Sequence, residues 1–524
     1  MSMPRRLFAL LSIVVLLTAC APKSAIQPTI SNALETSTPR AVSEPPTPEM
    51  TPSGLAKPDL SYKVAAFYYP WYGNPATDSQ WMHWTQNNHV PPNDIASDYF
   101  PALGAYSSND PNVIAQHMQW LLQAGIGVII TSWWGQGSRE DQALPLILHI
   151  ADQYGIKVAF HIEPYNGRTP NSLLSDVQYI YEKYGSSRAL FRSTMTTRYS
   201  PSDHGKAVFF VWSIQQQGSD FSSWQTALDQ IHALPEGGLV IANSLEAGWI
   251  EGSHFDGLYN YASLHLDETD GFNWARTLPP DSLYVPSVLP GFSARRVGYA
   301  DNTYVPRRNG RTFETQWTTA LNTGVEPALV TITSFNEWHE GSMIEPPQFG
   351  IKDNNGFSYT DFGTLPPEGY LTLTDQWVDK YLAMTWPPTY RAQIKISTTS
   401  DWTTLNVVEG GVWIRPERVS ASHTATSAGL EAGDRFLLTQ SLADANTGQE
   451  VEMTWNVMLA NLSEDQNLIL QIDRGNIGKT QVTIYNYIGS TPVEVNSFTW
   501  DQVTADRNSY QFAVPAGLLM NTSP

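Results

Sequence analysis

Glu337 and Glu340 stand three positions apart in the stretch Thr333 to Gly341, directly after the apolar run Ala328–Phe335, which reads as a buried strand. Two carboxylates at a strand exit can divide acid–base work: one protonates a leaving oxygen, while the other takes a proton or attacks. That is the equipment of glycoside hydrolysis. A solvated Glu-x-x-Glu loop is the plainer alternative, since carboxylates are seldom buried. The neighbours argue against it, because Phe335, Trp338 and His339 suit an aromatic wall on which a sugar can stack.

A second constellation lies in the run Lys157–Glu163. Alternation along a strand puts Lys157, Ala159, His161 and Glu163 on one face and Val158, Phe160 and Ile162 on the other. His161 and Glu163 therefore point the same way, either into a binding mouth or against each other as a buried pair. Together with His339 and Glu340 they could imitate a metal site, but no HExxH or comparable spacing supports one. The sequence has no nucleophile elbow, phosphate loop or dinucleotide fingerprint, and its one cysteine is Cys20. No metal or cofactor is expected.

These residues need a frame to bring them together. From Lys63 onward eight short apolar runs recur: Val64–Tyr69, Ile126–Ser132, Lys157–Glu163, Ala207–Ser213, Leu239–Asn243, Phe255–Tyr261, Leu283–Leu289 and Ala328–Phe335. Amphipathic stretches such as Val113–Gln123, Asp141–Tyr154, Ser172–Tyr184, Ser222–Ala233 and Thr312–Leu321 separate them. Strand–helix alternation of this length predicts a (β/α)8 TIM barrel over residues 61–390. Each run ends in polar or aromatic residues, among them Tyr69, Trp134, Glu163, Asn243 and Tyr259. The C-terminal ends of barrel strands are where active sites form. Past residue 390 short strand-like runs such as Ile394–Ile396, Leu468–Ile472 and Thr480–Tyr487 predict an all-β, sandwich-like accessory domain over 391–524.

Of 524 residues, 41% are hydrophobic and 15% charged, which fits a globular chain with ample core. The net charge of −20 argues against nucleic acid or anionic lipid as partners, because phosphate binding needs clustered Lys and Arg. Eighteen tryptophans, 14 of them before residue 390, point mildly to carbohydrate stacking. At the start, Arg5 and Arg6 precede an apolar stretch from Leu7 to Leu17 that ends at Thr18, Ala19 and Cys20. This reads as a signal peptide over 1–19 with a bacterial lipoprotein processing site, leaving Cys20 acylated. Residues 20–60, rich in Pro, Thr and Ser, read as a disordered tether of roughly 130 Å reach. The expected location is extracytoplasmic, held to the cell envelope of a bacterium by the lipid alone.

Six stretches together resemble family 99 of the glycoside hydrolases, the endo-α-mannosidases and endo-α-mannanases. They are Ala66 to Gly73, Gly104 to Pro111, Ala124 to Trp134, Phe160 to Tyr165, Phe255 to Tyr259 and Ser334 to Gly341, and the resemblance spans about residues 62–388. It implies a retaining, endo-acting, metal-independent hydrolase of α-mannan or mannose-rich glycans. By the same resemblance Glu337 is the base that takes the proton of the substrate's 2-hydroxyl, giving a 1,2-anhydro sugar. Glu340 is the general acid and then the base that activates water, which asks for Glu340 protonated and Glu337 ionised at rest. Tyr69, His161, Glu163 and Tyr259 are implied to contact sugar hydroxyls and Trp134 to line the neighbouring subsite, and Asn336, next to the catalytic pair, is counted among the substrate-binding residues. Two departures bear on linkage: the fourth-strand exit reads Trp212-Ser213-Ile214-Gln215 in place of Tyr-Asp-Ser-Tyr, and Ser342-Met343 replaces Thr-Gln. Two other readings fit the same residues: a surface lipoprotein that captures glycan without cutting it, and a hydrolase of the same fold acting on another α-glycan.

Overall fold

Parallel strands that are buried on both faces read as continuous apolar runs, and the runs above behave this way. In the computed structural model β1 (Ser61–Tyr68) is buried from Val64 onward and β2 (Ile126–Trp133) along its whole length. The structure describes residues 61–524 apart from stretches at 216–219, 262–273, 280, 299–303, 401, 410–412, 422–426, 432–434, 440–449, 461, 475–478, 489–490, 501–507 and 521–524. The signal peptide, the acylated cysteine and the tether expected over 1–60 lie outside the described residues.

The sheet continues through β3 (Lys157–Ile162), β4 (Lys206–Val211), β5 (Leu239–Asn243) and β6 (Gly257–Tyr259), each parallel to its predecessor. The run expected as one strand over Leu283–Leu289 is instead two pieces, Leu283–Val285 and Ser287–Val288, which together form β7. Pro286 divides them because it has no N–H to give to a ladder. The first piece pairs with β6 and the second with β8 (Val330–Ile332), which pairs in turn with β1. The Pro286 carbonyl still accepts the Thr331 N–H at 2.9 Å, so the circuit of eight parallel strands closes through this segment. The predicted barrel is therefore the observed one.

Helices cover the outside, and four of them begin where the sequence supplies a side-chain cap. The helix α1 (Pro111–Gln123) starts with Pro111 after an Asp110 side chain that accepts the Asn112 N–H. A reciprocal Thr169–Ser172 cap opens α3 (Pro170–Tyr184), after α2 (Arg139–Gln153). Asp220 caps α4 (Phe221–His232) in the same way. Two later helices, α5 (Arg311–Leu321) and α6 (Gly369–Ala383), complete the wall beside β7, β8 and β1.

Beyond Pro387 and Pro388 the pattern changes to period two. The strand Val451–Ala460 alternates buried Val451, Met453, Trp455, Val457 and Leu459 with more exposed residues. Among the described residues, ten strands between Thr389 and Pro515 form two five-stranded antiparallel sheets. Ile394, Trp455 and Val482 from one sheet and Leu405, Leu470 and Val514 from the other share a core, which makes the expected sandwich.

Gly257 marks the tightest approach in the barrel wall. A Cβ there would stand 2.3 Å from the Leu283 carbonyl oxygen of the neighbouring strand. Gly257→Ala is expected to destabilise the protein by about 1–3 kcal/mol through overpacking, read as a lower midpoint in thermal or urea unfolding. An unchanged midpoint would show that β6 and β7 are not held at this spacing.

Candidate active site

The loop after β8 carries both glutamates and is fixed from three sides. The Asn336 side chain accepts the Tyr69 N–H at 2.7 Å and donates to the Tyr69 carbonyl at 3.0 Å. That pair of bonds ties the β8 exit to the β1 exit. Beneath it, the Trp338 indole N–H donates to Glu345 at 2.8 Å and lies 3.1 Å from the Tyr106 hydroxyl. Glu345 also accepts from Tyr106 and faces His117 at 3.3 Å, all three being buried. On the far side, the Arg307 guanidinium donates to the Gly341 and Met343 carbonyls at 2.8 and 2.7 Å. Aromatic rings of Tyr99, Phe362 and Tyr370 flank that guanidinium.

Held this way, the two carboxylates have different surroundings. Glu337 is 3% exposed, and its Oε1 accepts the His339 backbone N–H at 3.0 Å. Glu340 is half-buried and accepts a longer bond, 3.3 Å, from the Tyr261 hydroxyl. Tyr261 in turn lies 2.5 Å from the Tyr69 hydroxyl, so two phenols line up behind Glu340. Burial keeps both phenols well above their usual range, so they remain neutral donors.

Burial also raises both carboxyls. The Glu340 charge and then Glu163 push Glu337 further up, against the pull of the His339 and Glu340 N–H groups. Glu340 is raised to about 7, with the Tyr261 hydrogen bond opposing burial and Glu163 adding to it. Two carboxyls this close titrate as a pair. The expected resting state had Glu340 protonated and Glu337 ionised. In the structure burial raises both carboxyls, so the pair keeps a proton to higher pH than free carboxyls would.

Across the mouth stand the residues of β3 and β2. His161 Nδ1 lies 3.0 Å from Glu163 Oε1, which also accepts the Ser132 hydroxyl at 2.9 Å. The Trp134 indole N–H donates to Ser132 at 3.1 Å, fixing that half-buried ring beside the mouth. His161 and Glu163 thus share a strand face and lie within ion-pair distance of each other. Among the described residues no group of three or more His, Cys, Asp or Glu side chains could hold a metal ion.

Two of the sequence-derived contacts are placed differently. Tyr259 is fully buried with its hydroxyl 2.7 Å from His161 Nε2, so it orients that histidine from behind. Asn336 is fully buried and its amide is engaged on Tyr69, which makes it a brace. The residue that reasoning from sequence passed over is Tyr261. Alternation puts it on the same strand face as Tyr259, one step nearer the mouth, and only that signal could have found it. Glu345 gave no signal, being a single carboxylate after the loop.

This arrangement can do acid–base chemistry on a substrate lying across Glu337 and Glu340, inside an aromatic-walled barrel mouth. The comparisons with known proteins agree. The model of glycosyl hydrolase family 99 matches residues 59–383, more than half of the chain. The chain belongs to glycosyl hydrolase family 99. It is a glycoside hydrolase. Rat glycoprotein endo-alpha-1,2-mannosidase is 35% identical over 367 residues, covering 62% of this chain and 76% of the relative. A human glycoprotein endo-alpha-1,2-mannosidase-like protein is 32% identical over 359 residues, covering 60% and 75%. Among solved structures, the family 99 endo-alpha-mannosidase from Bacteroides thetaiotaomicron is similar with a TM-score of 0.54 and 32% identity. It covers 62% of this chain and 98% of that one.

Tyr261→Phe separates the hydroxyl from the ring. Its hydrogen bond holds the Glu340 carboxyl down, so removal should raise that carboxyl and shift the alkaline fall of the pH–rate profile to higher pH. The rate at the optimum is expected to drop about tenfold. A profile identical to the wild type would remove Tyr261 from the site.

Proposed function

We propose that this enzyme cuts internal α-mannosidic bonds with retention of configuration, and that Glu337 and Glu340 carry the reaction. The observation that supports this most is the pairing itself. The two carboxyls lie on one clamped loop at the exit of β8, both raised by burial, one half-open to the mouth and donor-bonded by Tyr261. The rat relative and the Bacteroides thetaiotaomicron structure named above are endo-α-mannosidases by description, which supports the substrate class.

The sequence of events follows from the side chains. Substrate lies across the β-strand exits, with Trp134 and Trp212 as half-exposed aromatic surfaces. Glu337 takes the proton of the sugar 2-hydroxyl, and that oxygen attacks the anomeric carbon while Glu340 gives its proton to the departing oxygen. The product of this step is a 1,2-anhydro sugar and a free chain end. Glu340, now ionised, then draws a proton from water, whose oxygen opens the strained ring, and Glu337 returns the first proton. Charges balance at each stage without a protein–sugar covalent bond.

Such a scheme needs one proton shared by the pair. Activity should rise as the pair loses its first proton and fall as it loses the second, giving a bell whose alkaline side begins near or above about 7. Soluble protein beginning near residue 60, incubated with an α-(1→6)-backbone, α-1,2-branched mannan, is expected to release short manno-oligosaccharides early. Glu340→Gln is expected to lose about a thousandfold in rate on that polymer. Binding without products would instead support the capture of glycan, and turnover only on other α-glycans would move the substrate class.

We further propose that the mature chain is anchored through an acylated Cys20. Metabolic labelling with a radioactive fatty acid should mark the protein and be lost in Cys20→Ser. Equal labelling of the two would exclude the anchor.

A further inference from the structure

The ring of His339 sits directly beside Glu337, and its chemistry is set by what its other nitrogen touches. His339 Nε2 lies 2.9 Å from the backbone carbonyl oxygen of His83. A carbonyl can only accept, so Nε2 carries the hydrogen. The ring is 7% exposed, and burial holds it down to about 4, so it is neutral at ordinary pH. Its Nδ1 is then a bare lone pair. That nitrogen points at Glu337 Oε1 from 3.9 Å, just outside hydrogen-bond reach.

The ring cannot easily turn away. It stacks on His83 with centroids 5.8 Å apart and planes 24° from parallel, and on Trp71 at 6.2 Å and 22°. Trp71 and His83 are themselves stacked at 4.7 Å. Three flat rings thus fix one edge of His339 on the His83 carbonyl and the other on the carboxyl.

We propose that His339 is a positioning residue for Glu337: its locked ring presents a hydrogen-bond acceptor to the carboxyl, favouring the protonated form that Glu337 reaches when it takes a substrate proton. The inference rests on the reading of Glu337 as the base. During that step the substrate O–H bond breaks, an O–H bond forms on Glu337, and the new hydroxyl can turn to His339 Nδ1. An ionised Glu337 meets a lone pair there instead, which makes it a stronger base. Among the described residues, the other groups facing Glu337 give no cation to offset this. They are Glu340 from the same loop, Tyr69 and Tyr72 from the β1 exit, Tyr261 after β6 and Glu163 after β3. Facing His339 and its stack are His83, His89 and Arg139, of which His83 is likewise held neutral by burial.

Two variants separate this role from mere packing. His339→Gln can keep a donor for the His83 carbonyl but leaves no acceptor opposite Glu337. His339→Asn loses the reach to His83 but puts an amide oxygen near the Nδ1 position. The kcat and KM of each, measured on α-mannan across pH, are expected to rank wild type, then Asn, then Gln. In the Gln variant kcat should fall about tenfold with KM nearly unchanged. Its acidic limb should move to lower pH by about half a unit to one unit. A packing role predicts the opposite order, with Asn the more damaged, and that order or an unmoved limb would overturn the proposal. Glu337→Gln is run alongside: if it keeps the wild-type rate, the base assignment itself fails. If it is inactive while the Asn and Gln order is reversed, only the role of His339 fails. Should either histidine variant not fold, infrared difference spectra of the unmodified enzyme decide. The protonated Glu337 band, identified by its loss in Glu337→Gln, should lie at the frequency of a hydrogen-bonded acid. A free-acid band would overturn the proposal.

Discussion

The side-chain amide of Asn336, bonded to both the N–H and the carbonyl of Tyr69, is the contact on which the site depends. It joins the last strand of the barrel to the first just where the regular ladder stops, since β8 pairs with β1 only from Val64 to Ala66. Phe335 N–H on the Phe67 carbonyl extends the same seam. Without this junction the residues that follow would leave the barrel as an ordinary loop. With it, Glu337 enters a space closed by Tyr69 and Tyr72 on one side and His339 on the other. An amide suits the task because it offers one donor and one acceptor in a plane, as a peptide group does.

The electrostatics of the mouth follow from what is missing at short range. Glu163, Glu337 and Glu340 face one another across phenols and imidazoles, and the nearby guanidinium of Arg168 is engaged on the carbonyls of Trp212 and Ser213. Glu337 and Glu340, taken out of water with no cation paired to them among the described residues, shed that cost by keeping a proton to higher pH. The same neighbours in an exposed loop would titrate as ordinary acids. Burial thus creates the chemistry, and the neutral donors around the rim only grade it between the two groups.

How much of this could be read from the chain depends on the range of the interaction concerned. The barrel was legible because each strand is a local apolar run and each helix a local period. Helix starts at Pro111, Pro170 and Phe221 fell within two residues of the expected ones. The β7 run was misjudged because a single Pro286 interrupts an otherwise convincing strand. At the site, Glu337, Glu340, His161 and Glu163 were visible as types and spacing. Tyr261, Tyr259 and Asn336 exchanged roles because the distinction between facing the mouth and bracing it rests on depth, which alternation does not encode. Glu345 and His117 meet across 228 positions of chain, and nothing local marks either of them.

The division of β7 at Pro286 has a wider consequence. One short segment serves two neighbours in turn, three residues on β6 and two on β8. A register slip of a single residue there would turn every side chain of the segment to the opposite face and misalign both seams together. Length changes among related chains should therefore collect in the connections on either side, while the six residues from Leu283 to Val288 behave as a keystone of fixed length.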